Sequence, residues 1–144
     1  MGQVFFEDIK EGTEITTLSK EPIDRVRLVK YAGASGDFNP LHYDEDFARA
    51  AGMKNGCIAH GMLSMGFVGQ ALSDWVGPRG RIKSFGVRFT SMTDMKDVVT
   101  CKGRVVRKWN ENGENLVECE VLSETQRGNV TTQGKAVVSL PSRS

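Results

Sequence analysis

The chain has 144 residues, enough for one domain whose core needs no disulfide or metal staple. Its 39% hydrophobic and 26% charged content is that of a soluble globular protein. A net charge of +1, with basic residues scattered, gives no footing for nucleic-acid or anionic-membrane binding.

Cys57, Cys101 and Cys119 are odd in number and lack Cys-x-x-Cys spacing. This argues against structural zinc or a thioredoxin-type redox pair, and for reduced thiols in a cytoplasmic protein. The opening residues lack a basic stretch followed by an apolar one, and Phe6 stands where a myristoylation motif wants Ser or Thr. No apolar run reaches transmembrane length, so a soluble intracellular protein is expected.

In chain order, residues 14–18 are β-prone and predict a first strand. Asp24 is a helix N-cap, followed by the apolar stripe Leu28, Val29, Tyr31 and Ala32. That helix ends in the small residues before Gly36. Asp37-Phe38-Asn39-Pro40 is a loop, because Asp and Asn favour Asx turns and Pro40 keeps Asn39 out of the helical region. Asp44 caps a short helix closed by Gly52. Residues 61–76 form the longest helix. Met62, Met65, Phe67, Val68, Ala71, Leu72, Trp75 and Val76 cover much of its circumference, which predicts burial on most sides. Gly66 and Gly69 suit places where a backbone or a ligand comes close.

Four strand-like runs follow, over residues 80–92, 97–109, 116–125 and 131–140. Turns at 110–113 and 126–129 join the later ones, so an antiparallel meander is expected. One long apolar helix against such a sheet predicts an α+β domain, with the sheet curved around the helix.

Both histidines of the chain, His42 and His60, lie in its most unusual stretch. Asp37 and His42, five positions apart across a Pro-containing loop, are a carboxylate and an imidazole that could converge on one water for acid–base work. Alone, the spacing is equally that of Asx turns beside a loop histidine. In Ile58-Ala59-His60-Gly61-Met62, Gly61 opens the long helix. Its N–H is free to face an oxyanion, while His60 could simply cap the helix. A metal bound by Asp37, His42 and His60 lacks a fourth ligand and a helical spacing. No nucleophile-elbow pattern surrounds Ser35, Ser64 or Cys57.

The run from Tyr31 to His42, with Gly36-Asp37-Phe38-Asn39-Pro40-Leu41-His42, followed by Ile58-Ala59-His60-Gly61-Met62-Leu63, resembles the MaoC-like, R-specific enoyl hydratase family. In detail it is similar to the mycobacterial-type (3R)-hydroxyacyl-carrier-protein dehydratase B subunits. The resemblance spans nearly the whole chain and implies a single MaoC-like hotdog domain over residues 1–144.

It further implies that the chain interconverts trans-2-enoyl and (3R)-3-hydroxyacyl thioesters of coenzyme A or acyl carrier protein. Asp37 and His42 are then the catalytic pair, Asn39 and His60 support them, and the Gly61 N–H faces the thioester oxygen. No cofactor or metal is implied. Some members carry a supporting serine further along the helix, where alignment places Gly69. A homodimer, or a heterodimer with a related hotdog subunit, is expected. A hotdog acyl-thioesterase and a non-catalytic partner subunit are the competing readings; the presence of Asp37, His42 and His60-Gly61 speaks against the second.

Overall fold

The computed structural model describes residues 2–144. A strand β1 (Leu18–Ser19) precedes three helices, α1 (Arg25–Ser35), α2 (Glu45–Ala50) and α3 (Gly61–Val76). Four long strands follow: β2 (Arg81–Phe89), β3 (Val99–Glu111), β4 (Glu114–Thr125) and β5 (Val130–Ser139).

The helix ends are those expected from the sequence. The Asp24 side chain accepts the Arg27 N–H at 2.8 Å, and Asp44 accepts that of Phe47 at 3.0 Å. At the far end of α1, Gly36 adopts φ 75° and returns its N–H to Ala32. The predicted strand over residues 14–18 is shorter and displaced. Ile15 donates its N–H to Gly103, but regular pairing begins only at Leu18–Ser19, opposite Cys101 and Thr100. Between them the chain bends to pack Ile15 over Gly103, where a Cβ would come within 2.9 Å of the Ile15 side chain.

The sheet is antiparallel throughout, in the order β1-β3-β4-β5-β2. β3, β4 and β5 form the expected meander, with Asn112 and Gly113 both at positive φ in the first turn. β2 departs from it, because it pairs with β5 and closes the far edge instead of lying beside β3. The residues between β2 and β3 are no hairpin turn. They cross the start of α3, where Thr93 accepts the Ala59 N–H at 2.8 Å and Asp94 bridges Ile58.

Period-two alternation sends Val99, Cys101, Val117, Cys119, Ala136 and Val138 inward and puts pairs such as Arg104–Glu120 on the outer face. The inward row meets α3, which touches all four long strands. This is the helix-in-sheet arrangement of a hotdog fold. Burial on α3 falls at 63, 64, 67, 68, 71, 72, 75 and 76, a single face at helical period. The expectation of burial on most sides is therefore corrected. The sheet covers one side only, and Met62 and Gly66 stay exposed on the other.

Candidate active site

The loop after α1 is built by three successive side-chain-to-backbone hydrogen bonds. Ser35 Oγ accepts the Asp37 N–H (3.2 Å), Asp37 Oδ1 that of Asn39 (3.2 Å), and Asn39 Oδ1 that of Leu41 (3.1 Å). Pro40 then opens a single helical turn, Pro40–His42, which carries the histidine inward. Asn39 thus orients the loop through its oxygen.

His42 is buried, and its Nδ1 lies 2.8 Å from the Ile58 carbonyl oxygen. A carbonyl can only accept, so Nδ1 carries the proton. In the neutral ring, Nε2 is left with its lone pair facing outward. There it meets Asp37 Oδ2 at 3.8 Å. Asp37 is half exposed and spends only Oδ1 on the loop. The site therefore joins a buried imidazole to a solvent-facing carboxylate, with the two atoms close enough for one water beside them to bond to both.

His60 sits at the N-cap position of α3, yet its side chain makes no capping bond, which sets aside the helix-cap reading. Its Nε2 donates to the Asp37 carbonyl oxygen at 3.2 Å, while Nδ1 is buried without a partner. The ring stacks on His42, with centroids 3.7 Å apart, and meets Tyr31 edge-on. Burial, and then the neighbouring His42, push its pKa below the usual histidine value, although the Asp37 carbonyl and carboxylate oppose this. His60 is thus a neutral plate behind His42.

Donor atoms of Asp37, His42 and His60 lie within 4.8 Å of one another. The rings are stacked, with centroids 3.7 Å apart and planes 21° apart, so their in-plane lone pairs lie in separate, nearly parallel planes, whereas coordination needs them to converge on one point. The three residues do not fit a resident metal.

Gly61 begins α3, where no side chain caps the first N–H groups. A Cβ on Gly61 would lie 3.1 Å from the Phe89 ring. Both residues line a cavity of about 230 Å³, together with His42, Ser64 and Thr132. Sequence reading weighed Ser64 only as a nucleophile and gave it no other place in the site. Its signal was helical spacing, since it lies nearly one turn beyond Gly61 on the buried face. Gly69, the position aligned with the supporting serine, lies instead against Phe85 of β2, with a Cβ 3.5 Å from that ring. Ser64 is one of the hydroxyl residues that line the His42 cavity, with Ser91, Thr93, Thr131 and Thr132.

A family model described as a MaoC-like domain matches residues 8–128. The chain belongs to the MaoC-like domain family. Among its relatives, the (R)-specific enoyl-CoA hydratase of Rhodospirillum rubrum is 34% identical over 140 residues, 96% of this chain and 93% of that protein. The unliganded R-hydratase PhaJ1 of Pseudomonas aeruginosa superposes with a TM-score of 0.86 at 25% identity, over 98% of this chain and 88% of that one. The ChsH1–ChsH2 complex of Mycobacterium tuberculosis contains a chain matched at TM-score 0.78 and 27% identity, over 91% of this chain and 98% of that one.

With a hydratase among its full-length relatives, this MaoC-like chain is a hydro-lyase. Among the described residues no helix is long and apolar enough to cross a membrane.

Proposed function

We propose that this MaoC-like chain reversibly hydrates trans-2-enoyl thioesters to (3R)-3-hydroxyacyl thioesters in fatty-acid metabolism, with coenzyme A or acyl carrier protein as the thiol. The observation that carries the reading is the 3.8 Å separation of Asp37 Oδ2 and His42 Nε2, with Nδ1 engaged by the Ile58 carbonyl and Nε2 left as an acceptor in the neutral ring. A water held there is oriented by two acceptors.

In hydration its oxygen bonds to C3. A proton passes to the pair and one is returned to C2, so water adds across the double bond and the pair is unchanged. Electron density moves to the thioester oxygen during attack. The Gly61 N–H, at the positive end of α3, stabilises it there. Dehydration is the reverse. Asn39 holds the loop, and His60 backs the imidazole.

We read the whole chain as one such domain, working as a dimer with a second copy or a related hotdog subunit. Among the described residues the outer edge of β2 is unpaired, and Phe38, Met62, Phe89 and Met92 are exposed apolar side chains. The three buried free thiols suit a cytoplasmic location.

The test is the absorbance of the conjugated enoyl thioester, followed across chain lengths on coenzyme A and carrier protein, with and without candidate partner subunits. Loss of the chromophore without thiol release supports the reading. Thiol release would point to a thioesterase. No turnover with any partner would point to a non-catalytic subunit.

A further inference from the structure

We infer that Arg127, in the β4–β5 turn and remote in sequence from the site, is a positioning residue that fixes both His42 and the start of α3. The inference rests on the proposed hydratase reading for its effect on turnover. Arg127 Nη2 donates to Asp97 Oδ2 at 2.5 Å, and its Nη1 lies 3.4 Å from Asp94 Oδ2. Asp97 is almost fully buried. It also takes the Asp94 N–H (2.8 Å) and the Gln126 side chain (2.9 Å), while Asn55 donates to Asp94 (2.9 Å).

A buried carboxylate is tolerated only when its charge is met, so Arg127 is what allows the segment between β2 and β3 to fold down here. That segment then acts as a template for the site. Its Thr93 and Asp94 pair with Ala59 and Ile58, immediately before His60-Gly61. The carbonyl of the same Ile58 sets the His42 tautomer, and its N–H bonds to Leu41 beside it. The fork of Arg127 thus reaches the imidazole through two carboxylates and one strand-like pairing. The conservative Lys offers one point charge where Arg spans two acceptors.

The experiment compares the wild type with Arg127→Ala and Arg127→Lys. Should Arg127→Ala fail to fold, the doubly substituted Arg127→Met/Asp97→Asn removes the fork without leaving a buried carboxylate unpaired. Two readouts are taken at a temperature well below each melting point: turnover of the enoyl thioester, and solvent exchange of the His42 Nδ1–H by nitrogen-15 NMR. Having only two histidines in the chain makes the signal assignable.

The inference expects kcat to fall about tenfold or more in Arg127→Ala or the double variant, with KM within about twofold and partial recovery in Arg127→Lys. It also expects faster Nδ1–H exchange. A folded variant with lower melting temperature but wild-type kcat and unchanged exchange would overturn it, since that is a structural role alone. If the wild type hydrates nothing, the hydratase reading fails, and the exchange measurement still decides whether Arg127 positions His42.

Discussion

His42 Nε2 stands 3.8 Å from Asp37 Oδ2, beyond direct hydrogen-bond range and within reach of one bridging water. The distance is set from both sides. The Ile58 carbonyl pulls the imidazole inward through Nδ1, and the Asn39 N–H holds the other carboxylate oxygen. Neither functional group is free to collapse onto the other, and each still presents one unspent atom.

Gly61→Ala should lower kcat/KM by about tenfold or more, because the added methyl meets the Phe89 ring at 3.1 Å and takes space from the cavity beside His42. Phe89 is half exposed and can give way, so the fold should survive. Steady-state kinetics of Gly61→Ala, alone and with Phe89→Ala, checks this. Partial recovery in the double variant is expected.

His60 gives stability a pH dependence. Its folded pKa lies below the ordinary 6.5, chiefly through burial, so between the two values the unfolded chain binds a proton that the folded chain does not. Stability is therefore intact above 6.5 and declines as pH falls from there toward the folded value. Urea midpoints measured through that window should fall more steeply for wild type than for His60→Gln.

Burial pushes the thiols of Cys101 and Cys119 up to about 12, and that of Cys57 is raised as well. All three are fully buried. Thiolate is the reactive form, so a colorimetric thiol reagent at pH 8 should find none of them in the native protein. Addition of denaturant should release all three.

At Gly134, a Cβ would collide with the backbone of β2, at the Gly86 carbonyl and 2.7 Å from Val87 Cα. Gly134→Ala should destabilise by about 1–3 kcal/mol or more, since backbone cannot step aside. Gly86→Ala meets nothing within 4 Å and should change stability by less than about 0.5 kcal/mol. Chemical denaturation of the two variants gives the contrast.

Locally encoded features were legible in the chain. Asp24 and Asp44 cap helices through bonds only three residues long, and the helix over residues 61–76 follows from its own periodicity. Long-range pairing was not legible. β2 has the alternation of a strand wherever it lies, and only its register against β5, with Gly134 under Val87, places it at the far edge. The exposed side of α3 was hidden for a similar reason: apolar Met62 and small Gly66 resemble core until the sheet shows which side it covers.

In the site, residues 37, 39 and 42 belong to one loop and could be read together. The Ile58 carbonyl that fixes the His42 tautomer, the stacking of His60 and the Ser64 hydroxyl come from elsewhere and needed the fold.

The most direct test of the central claim is hydration of an enoyl thioester by Asp37→Asn and His42→Ala beside the wild type, followed by loss of enoyl absorbance, with circular dichroism confirming the fold. Each substitution should cut kcat by about 10²–10⁴-fold, the range expected for losing a positioned acid–base group. Near-wild-type turnover in either folded variant would contradict the account.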